Sequence, residues 1–158
     1  MNMNVESFMA VLRALHEHEV EYILVGGMAV IFHGVSRITK DLDLFAKRNP
    51  GNLEKLKHAL QAVFDDESIA GITNAELVDY PLIRYGTPHD YYIDIIDRIG
   101  EAFRYDDIEY EIIESQGIPV RVATLETLIK MKNGTLRIKD RADAMLLTEE
   151  LQKLRKKK

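Results

Sequence analysis

Two aspartates separated by one residue, Asp41 and Asp43, are the first candidates for chemistry in this sequence. Polar and apolar residues alternate around them, which is the period of a β-strand, so both carboxylates are expected on one face, roughly 6.5–7 Å apart. Carboxylates that project together repel each other, and a hard divalent cation such as Mg²⁺ supplies the counter-charge. Taken alone, such a pair is more often a solvated strand face.

A pair of glycines, Gly26 and Gly27, precedes the aspartates, and thirteen residues lie between Gly27 and Asp41. It ends the apolar run 22–25, which predicts a buried strand, and a segment of helical composition follows. Glycines at a strand-to-helix turn let backbone N–H groups approach phosphate oxygens, and the helix N-terminus favours their negative charge. An ordinary tight turn would also explain the pair. A phosphate cradle followed by paired carboxylates, however, indicates a site for a metal-bound triphosphate.

A third carboxylate would complete a site for two metal ions, of which one activates the nucleophile and the other stabilises the leaving pyrophosphate. Asp94 is the preferred candidate because it interrupts an apolar run, where a buried acid is costly unless it is paired or metal-bound. Asp97 is the alternative. It ends the same run beside Arg98, and a solvated ion pair would account for it.

Basic residues near these acids are candidates for binding phosphate. Arg37 precedes the carboxylate strand and offers a bidentate fork, whereas Lys40 is more typical of a solvated loop. Lys132 and Arg137 flank a glycine-containing loop, for which simple solvation is an equally good interpretation. Among the histidines, only His89 is expected to be able to face the cleft.

The whole pattern resembles the nucleotidyltransferase superfamily of DNA polymerase β type, and most closely its AbiEii/AbiGii-like group of small proteins. The similarity spans roughly residues 20–148, with its segments in the family's order. Those segments are 25–30, Gly34, Arg37 with Thr39, 40–44, 92–96, 117–122, 125–129, Lys132, Arg137 and 139–143.

The resemblance implies transfer of a nucleoside monophosphate from an NTP to an acceptor, with release of pyrophosphate and with two Mg²⁺ ions, or Mn²⁺ in their place. Gly26 and Gly27 would hold the triphosphate, and Asp41 and Asp43 would bind both ions. Asp94 would bind the catalytic ion and help to deprotonate the acceptor hydroxyl. The basic residues expected on the nucleotide are Arg37, Lys40, Lys132 and Arg137.

The acceptor implied by the resemblance is an RNA end such as that of tRNA, a protein hydroxyl, or a small molecule such as an aminoglycoside or lincosamide. A toxin or antitoxin partner protein is also implied. Full-length toxins of this group carry a large C-terminal region that these residues lack, so acceptor recognition is expected outside the catalytic core. Two alternatives stay open: a nucleotide-binding regulatory or toxin–antitoxin module with little transferase activity, and a structural domain whose acids are solvated.

Hydrophobic periodicity predicts the elements that position these residues. The pattern indicates a mixed α/β (α+β) fold, with a central mixed sheet of about five strands flanked by helices and C-terminal helices packed alongside. Residues 1–158 are expected to form one domain, with a catalytic core at about 20–123 and a helical part at about 124–158. The predicted helices are 4–18, 28–33, 50–64, 125–132 and one after Asp140, and the predicted strands are 22–25, 41–45, 82–85, 91–96, 108–113 and 118–122.

Composition excludes several classes of protein. The chain has no cysteine, which excludes a disulfide scaffold, a Cys-ligated zinc site and a thiol nucleophile. No run of 18 apolar residues and no signal-peptide pattern is present, so no membrane partner is expected and the cytoplasm is the expected location. The net charge of −5 argues against a protein that coats nucleic acid by charge alone.

Overall fold

The computed structural model describes residues 3–133 and Lys153. Short 3₁₀ turns lie at Glu67–Gly71 and Tyr105–Asp107. The helices are α1 (Met3–Glu17), α2 (Gly26–Phe32), α3 (Pro50–Phe64), α4 (Asn74–Asp79) and α5 (Leu125–Asn133). The strands are β1 (Tyr22–Val25), β2 (Leu42–Ala46), β3 (Leu82–Gly86), β4 (Tyr92–Ile96), β5 (Arg98–Ile99), β6 (Phe103–Arg104), β7 (Tyr110–Ser115) and β8 (Ile118–Ala123).

Six of these strands form one mixed sheet in the order β3-β4-β2-β1-β8-β7. The pairs β2–β4 and β1–β8 are parallel, and the other three pairs are antiparallel. The predicted mixed sheet with flanking helices is therefore confirmed, with six strands rather than about five. The two-residue strands β5 and β6 form a separate ribbon that is too short to give a period in the sequence.

One face of the sheet is apolar and buried, and the other carries acidic side chains. Residues paired directly across neighbouring strands point to the same side, so Leu42 and Leu44 share a face with Ile93 and Ile95. All four are fully buried. Helices α1 and α3 pack together over this face, where Phe8 of α1 meets the ring of a tyrosine that precedes β4. The opposite face carries the aspartates, as the alternation in β2 predicts.

Residues 65–80, which hydrophobic periodicity does not assign, form a 3₁₀ turn and the short helix α4. Side-chain caps begin both elements: Asp66 accepts a hydrogen bond from the Ser68 amide, and Thr73 accepts one from the Glu76 amide. Each element is six residues long or shorter, so it gives too few turns for an apolar stripe to be recognised.

A buried asparagine on α3 connects the residue before β1 with the residue after β2. The Asn52 carboxamide accepts a hydrogen bond from the Glu21 amide (2.8 Å) and donates to the carbonyls of Glu21 (2.9 Å) and Lys47 (2.8 Å). Asn52→Ala would remove one hydrogen bond from each of three backbone groups. We expect it to lower the free energy of unfolding by about 2–4 kcal/mol, as judged by urea denaturation. Lys55→Ala, at an exposed position of the same helix, should change it by less than about 0.5 kcal/mol; equal losses would contradict this role.

The helix predicted at 125–132 is present as α5, but the rest of the C-terminal prediction concerns residues that the structure does not describe. Arg137, the loop through Gly134 and the helix expected after Asp140 lie outside the described residues, and the division of the chain into a core and a helical part stays a prediction. Between residues 3 and 133, none of the helices has the length and apolar content needed to cross a lipid bilayer.

Candidate active site

The three aspartates come together at the edge of the open face of the sheet. Asp43 and Asp94 are direct partners across the parallel strands β2 and β4, and Asp41 immediately precedes β2. The Asp94 side chain is only 13% exposed, whereas that of Asp41 is 34% exposed. The amide of Tyr92 donates to Asp41 Oδ1 (3.4 Å), which ties the loop before β2 to the start of β4.

Asp43 is the carboxyl group whose acidity is most altered. Burial raises its pKa, and the nearby Asp94 and Asp41 charges raise it further, to about 7, against a smaller opposing effect of Lys132. The raised pKa reflects the repulsion between carboxylates that lie this close together, and an added cation would relieve that repulsion.

Both glycines of the pair are tightly packed, Gly26 against Asp43 and Gly27 against Thr39. Gly26 has φ +70°, and a Cβ atom there would clash with the Asp43 carboxylate. A Cβ atom at Gly27 would lie 2.8 Å from Thr39 Oγ1, and that hydroxyl donates to the Asp41 carbonyl (3.1 Å). No side chain caps the start of α2, which begins at Gly26. The turn thus leaves backbone N–H groups beside the acids.

Arg84 is the site residue that the sequence analysis missed. It lies on β3 directly opposite Asp94, and its Nε and Nη2 atoms donate to Asp94 Oδ1 (2.9 Å) and Oδ2 (3.3 Å). Nη2 also donates to Asp41 Oδ2 (3.4 Å). The guanidinium carbon stands 4.5 Å from the centre of the Tyr92 ring. A single arginine therefore neutralises part of the charge of two of the three aspartates.

These residues line one cleft of about 880 Å³. Every predicted site residue lines it except Arg137, which lies outside the described residues: Gly26, Gly27, Arg37, Lys40, Asp41, Asp43, Asp94 and Lys132. Thr39, Arg84 and Arg98 add polar groups that were not predicted. The apolar part of the lining consists mainly of Pro81, Leu82, Ile96, Ile99, Leu128 and Met131. The cleft thus combines charged and apolar lining residues.

Asp97 does not line this cleft, and its predicted environment was wrong. The residue is 6% exposed, so its ion pair with Arg98 (2.8 Å) is buried rather than solvated. Arg48 approaches the same carboxylate oxygen at 3.4 Å, and both arginines also donate to the Leu77 carbonyl. Asp97 therefore holds two arginines that also bind the carbonyl of Leu77 in α4.

His89 does not face the cleft either. Its ring lies 5.6 Å from that of Phe64, and it is not among the residues that line the cleft. Of the adjacent tyrosines, Tyr91 is 2% exposed and packs edge-on against Phe8, whereas Tyr92 is 46% exposed beneath Arg84.

The three aspartates form a donor set that could hold Mg²⁺. Carboxylate oxygens are the ligands that this ion prefers. In the structure the Arg84 guanidinium lies between Asp41 and Asp94 and donates to both. Within residues 3–133 and Lys153, no group of three His, Cys, Asp or Glu side chains is arranged to hold a metal as it stands. Arg84 contacts carboxylate oxygens of Asp41 and Asp94 that such an ion would use.

A protein-family model matches most of the chain. The model describes the nucleotidyl transferase AbiEii toxin of a type IV toxin–antitoxin system, and it matches residues 8–144. The sequence matches none of the curated proteins.

Two solved structures share the fold. One is TM1012 of Thermotoga maritima, a nucleotidyltransferase by assignment, with a TM-score of 0.55, 11% identity and coverage of 98% of this chain and 94% of that chain. The other is ANT(2")-Ia in complex with adenylyl-2"-tobramycin, with a TM-score of 0.53, 16% identity and coverage of 98% and 95%. They confirm the predicted nucleotidyltransferase fold.

Proposed function

Because the chain belongs to the AbiEii family of nucleotidyltransferases, as its residue pattern predicts, we propose that it moves a nucleoside monophosphate from an NTP to an acceptor hydroxyl in a Mg²⁺-dependent reaction. The observation that carries this proposal is the convergence of three aspartates and a glycine turn at one end of a single cleft. An acid cluster alone would suit many ions. The adjoining turn, which leaves no room for a side chain, suits a phosphate chain beside it.

Asp41, Asp43 and Asp94 would hold the metal ions in this proposal. When bound, Mg²⁺ neutralises the charge of the triphosphate and makes the acceptor oxygen a better nucleophile. The acceptor oxygen forms a bond to the α-phosphorus, the bond from that phosphorus to the bridging oxygen breaks, and pyrophosphate leaves. Asp94 takes up the hydroxyl proton, for which its place in the cleft beside Asp43 is suitable.

The turn at Gly26 and Gly27 would bind the phosphate oxygens through backbone N–H groups. Arg37, Lys40 and Lys132 line the same cleft, and their charges would offset the rest of the phosphate charge. We assign Arg137 the same role, as the residue pattern suggests. No covalent intermediate with the protein is needed, because positioning and charge neutralisation are sufficient for phosphoryl transfer.

The acceptor and the protein partner are the finer parts of the proposal. ANT(2")-Ia, which shares the fold, is crystallised with an adenylylated aminoglycoside, whereas the family name refers to a toxin. A small-molecule hydroxyl, an RNA end and a protein hydroxyl are therefore the acceptors to test. The type IV toxin–antitoxin designation supports an antitoxin as the partner protein.

Label transfer tests the reaction and the choice of Asp94 over Asp97. The full chain is incubated with Mg²⁺ and each α-³²P-labelled NTP, together with RNA, protein and small-metabolite fractions. We expect label in one fraction, and at least about a 100-fold slower reaction for Asp94→Asn, since the site would lose charge at the reacting centre. Asp97→Asn should retain most activity once its folding has been verified by thermal unfolding.

Two outcomes would contradict this scheme. Label that appears from γ-³²P-labelled NTP in the acceptor would indicate a kinase reaction instead. Equal activity losses in the two variants would mean that Asp94 has no special role. If no fraction acquires label, calorimetry with each NTP and Mg²⁺ distinguishes a nucleotide-binding module from a chain that does not bind nucleotide.

A further inference from the structure

Arg84 occupies the region where a metal ion would have to bind. Its fork covers both oxygens of Asp94, at 2.9 and 3.3 Å, and its Nη2 atom also reaches Asp41 at 3.4 Å. A divalent ion held by these acids needs the same oxygen lone pairs. Arginine and metal are therefore competitors for Asp41 and Asp94.

We propose that Arg84 is a specificity-determining residue: a built-in counter-cation that makes the site bind metal together with nucleotide and only weakly without it. The inference rests on the metal-dependent function proposed above. A free Mg²⁺ ion must displace the guanidinium and gives it no new partner. A metal–NTP complex brings phosphate oxygens, which a planar guanidinium binds well. The cost of displacement is thus offset only when the nucleotide is present.

The surroundings of Arg84 allow this exchange. Its side chain is 52% exposed, on the edge strand β3, so its ion pairs are partly screened by water and can be broken at moderate cost. The exposed Tyr92 ring, 4.5 Å away, provides a surface on which the displaced guanidinium can rest. Arg84 also lines the cleft itself, so a small rotation keeps it within reach of a bound triphosphate.

The neighbouring charges are consistent with this assignment. The Arg84 guanidinium bonds two of the three aspartates, Asp41 and Asp94, so it already supplies positive charge to the cluster. Arg84 is more exposed than Arg48 and Arg98, the two arginines that pair with the buried Asp97. The exposure of Arg84 favours a replaceable cation.

Electron paramagnetic resonance of free Mn²⁺ measures the competition without depending on activity. Full-length wild type, Arg84→Gln, Arg84→Lys and Arg121→Gln are titrated with Mn²⁺, alone and with each α,β-methylene NTP. Arg121 is a matched control because its guanidinium also stands over a tyrosine ring, that of Tyr110, at 5.8 Å and away from the aspartates. We expect Arg84→Gln to bind Mn²⁺ alone about tenfold more tightly than wild type, and Arg84→Lys to be intermediate. The control should match wild type.

The titrations with nucleotide present give the second expected result. An α,β-methylene NTP should tighten Mn²⁺ binding several-fold more in wild type than in Arg84→Gln, because only wild type gains a new arginine–phosphate contact. Equal Mn²⁺ affinity of wild type and Arg84→Gln would overturn the inference. It would leave the proposed function standing if Asp43→Asn then abolished binding. No Mn²⁺ binding in any protein, with or without nucleotide, would overturn both.

A measurement on the wild type covers the case in which a variant fails to fold. The Arg84 Nε–H signal in a ¹⁵N spectrum, identified by its loss in Arg84→Gln or Arg84→Lys, should shift when Mg²⁺ and an α,β-methylene NTP are added together. Mg²⁺ alone at the same concentration should shift it much less. A signal that stays in place at saturating Mg²⁺ and nucleotide would show that Arg84 never leaves the aspartates, and would overturn the inference.

Discussion

Asp43→Asn is expected to lower the rate of nucleotidyl transfer about 1,000-fold or more and to make the metal-free protein more stable at pH 8. Activity falls because an amide cannot supply the negative charge that the metal site requires. Stability rises because Asp43 is partly buried among two other carboxyl groups, and its pKa is raised to about 7 by that burial and by those charges. An asparagine of nearly the same shape removes the repulsion. The opposite signs of the two effects distinguish a functional acid from a structural one.

The direction of the pH dependence follows from the raised pKa. Between pH 4 and pH 7 the folded protein retains a proton on Asp43 that the unfolded chain has already lost, so this residue makes the fold less stable as the pH rises. Its contribution is fully favourable below pH 4 and is lost above about pH 7. A rise of about three units corresponds to at most about 4 kcal/mol, and we expect Asp43→Asn to stabilise the protein by about 2–4 kcal/mol at pH 8.

Urea denaturation in EDTA at pH 5 and pH 8 measures this effect. Wild type should lose more stability between the two values than Asp43→Asn. The matched control is Asp106→Asn, an exposed aspartate in the 3₁₀ turn at Tyr105–Asp107, which should retain the wild-type dependence on pH. If Asp43→Asn shows the same loss of stability as wild type, the carboxyl group is not under electrostatic strain in the metal-free fold.

The face of β2 could be predicted from the sequence because it depends only on local alternation. Asp41, Asp43 and the two leucines between and after them alternate with the period of a strand, so a correct strand assignment places the acids and the apolar residues on opposite faces. The same holds for Asp94 in β4, where an acid interrupts an apolar run. Local period and local cost of burial were enough to single out three aspartates that line one cleft, and their role in a reaction stays a prediction.

The contact between Arg84 and Asp94 could not be predicted in this way because it depends on hairpin register. The sequence suggests a loop at residues 86–90, which would place Asp94 opposite Leu82. In the structure Gly86 still pairs with Tyr92, and the Thr87 amide and hydroxyl both donate to the Tyr91 carbonyl at 2.9 Å. The centre of the loop is thus one residue later than the sequence suggests. This shift changes the residue opposite Asp94 by two positions, from Leu82 to Arg84.

The environment of Asp97 was missed for a different reason. Its neighbour in sequence, Arg98, suggested a simple surface pair, but its second arginine, Arg48, is 49 residues away. Distant partners of this kind arise from the packing of β4 against the loop after β2, and no local pattern encodes them. Burial of a charge is therefore harder to recognise in a sequence than the presence of the charge.

Gly26→Ala is the second substitution for which we expect a large effect, with transfer reduced by at least about 100-fold and the free energy of unfolding lowered by about 2–4 kcal/mol. Two physical costs act at this position. The residue has φ +70°, which an L side chain rarely adopts, and the added Cβ atom would collide with the Asp43 carboxylate. The first cost affects the fold, whereas the second displaces a group that we place in the metal site.

Gly34→Ala separates these two costs. Gly34 has φ +90°, but a Cβ atom there would meet nothing within 4 Å. This control should therefore lower the free energy of unfolding by about 1 kcal/mol through backbone strain alone, and it should transfer nucleotide at close to the wild-type rate. Urea denaturation and the α-³²P transfer assay on the three proteins measure both effects. Similar activity losses in Gly26→Ala and Gly34→Ala would mean that backbone strain near α2, and not the contact between Gly26 and Asp43, limits the reaction. A loss confined to Gly26→Ala would instead place the requirement for glycine at the carboxylate itself, because strain is common to both variants and the collision belongs to one.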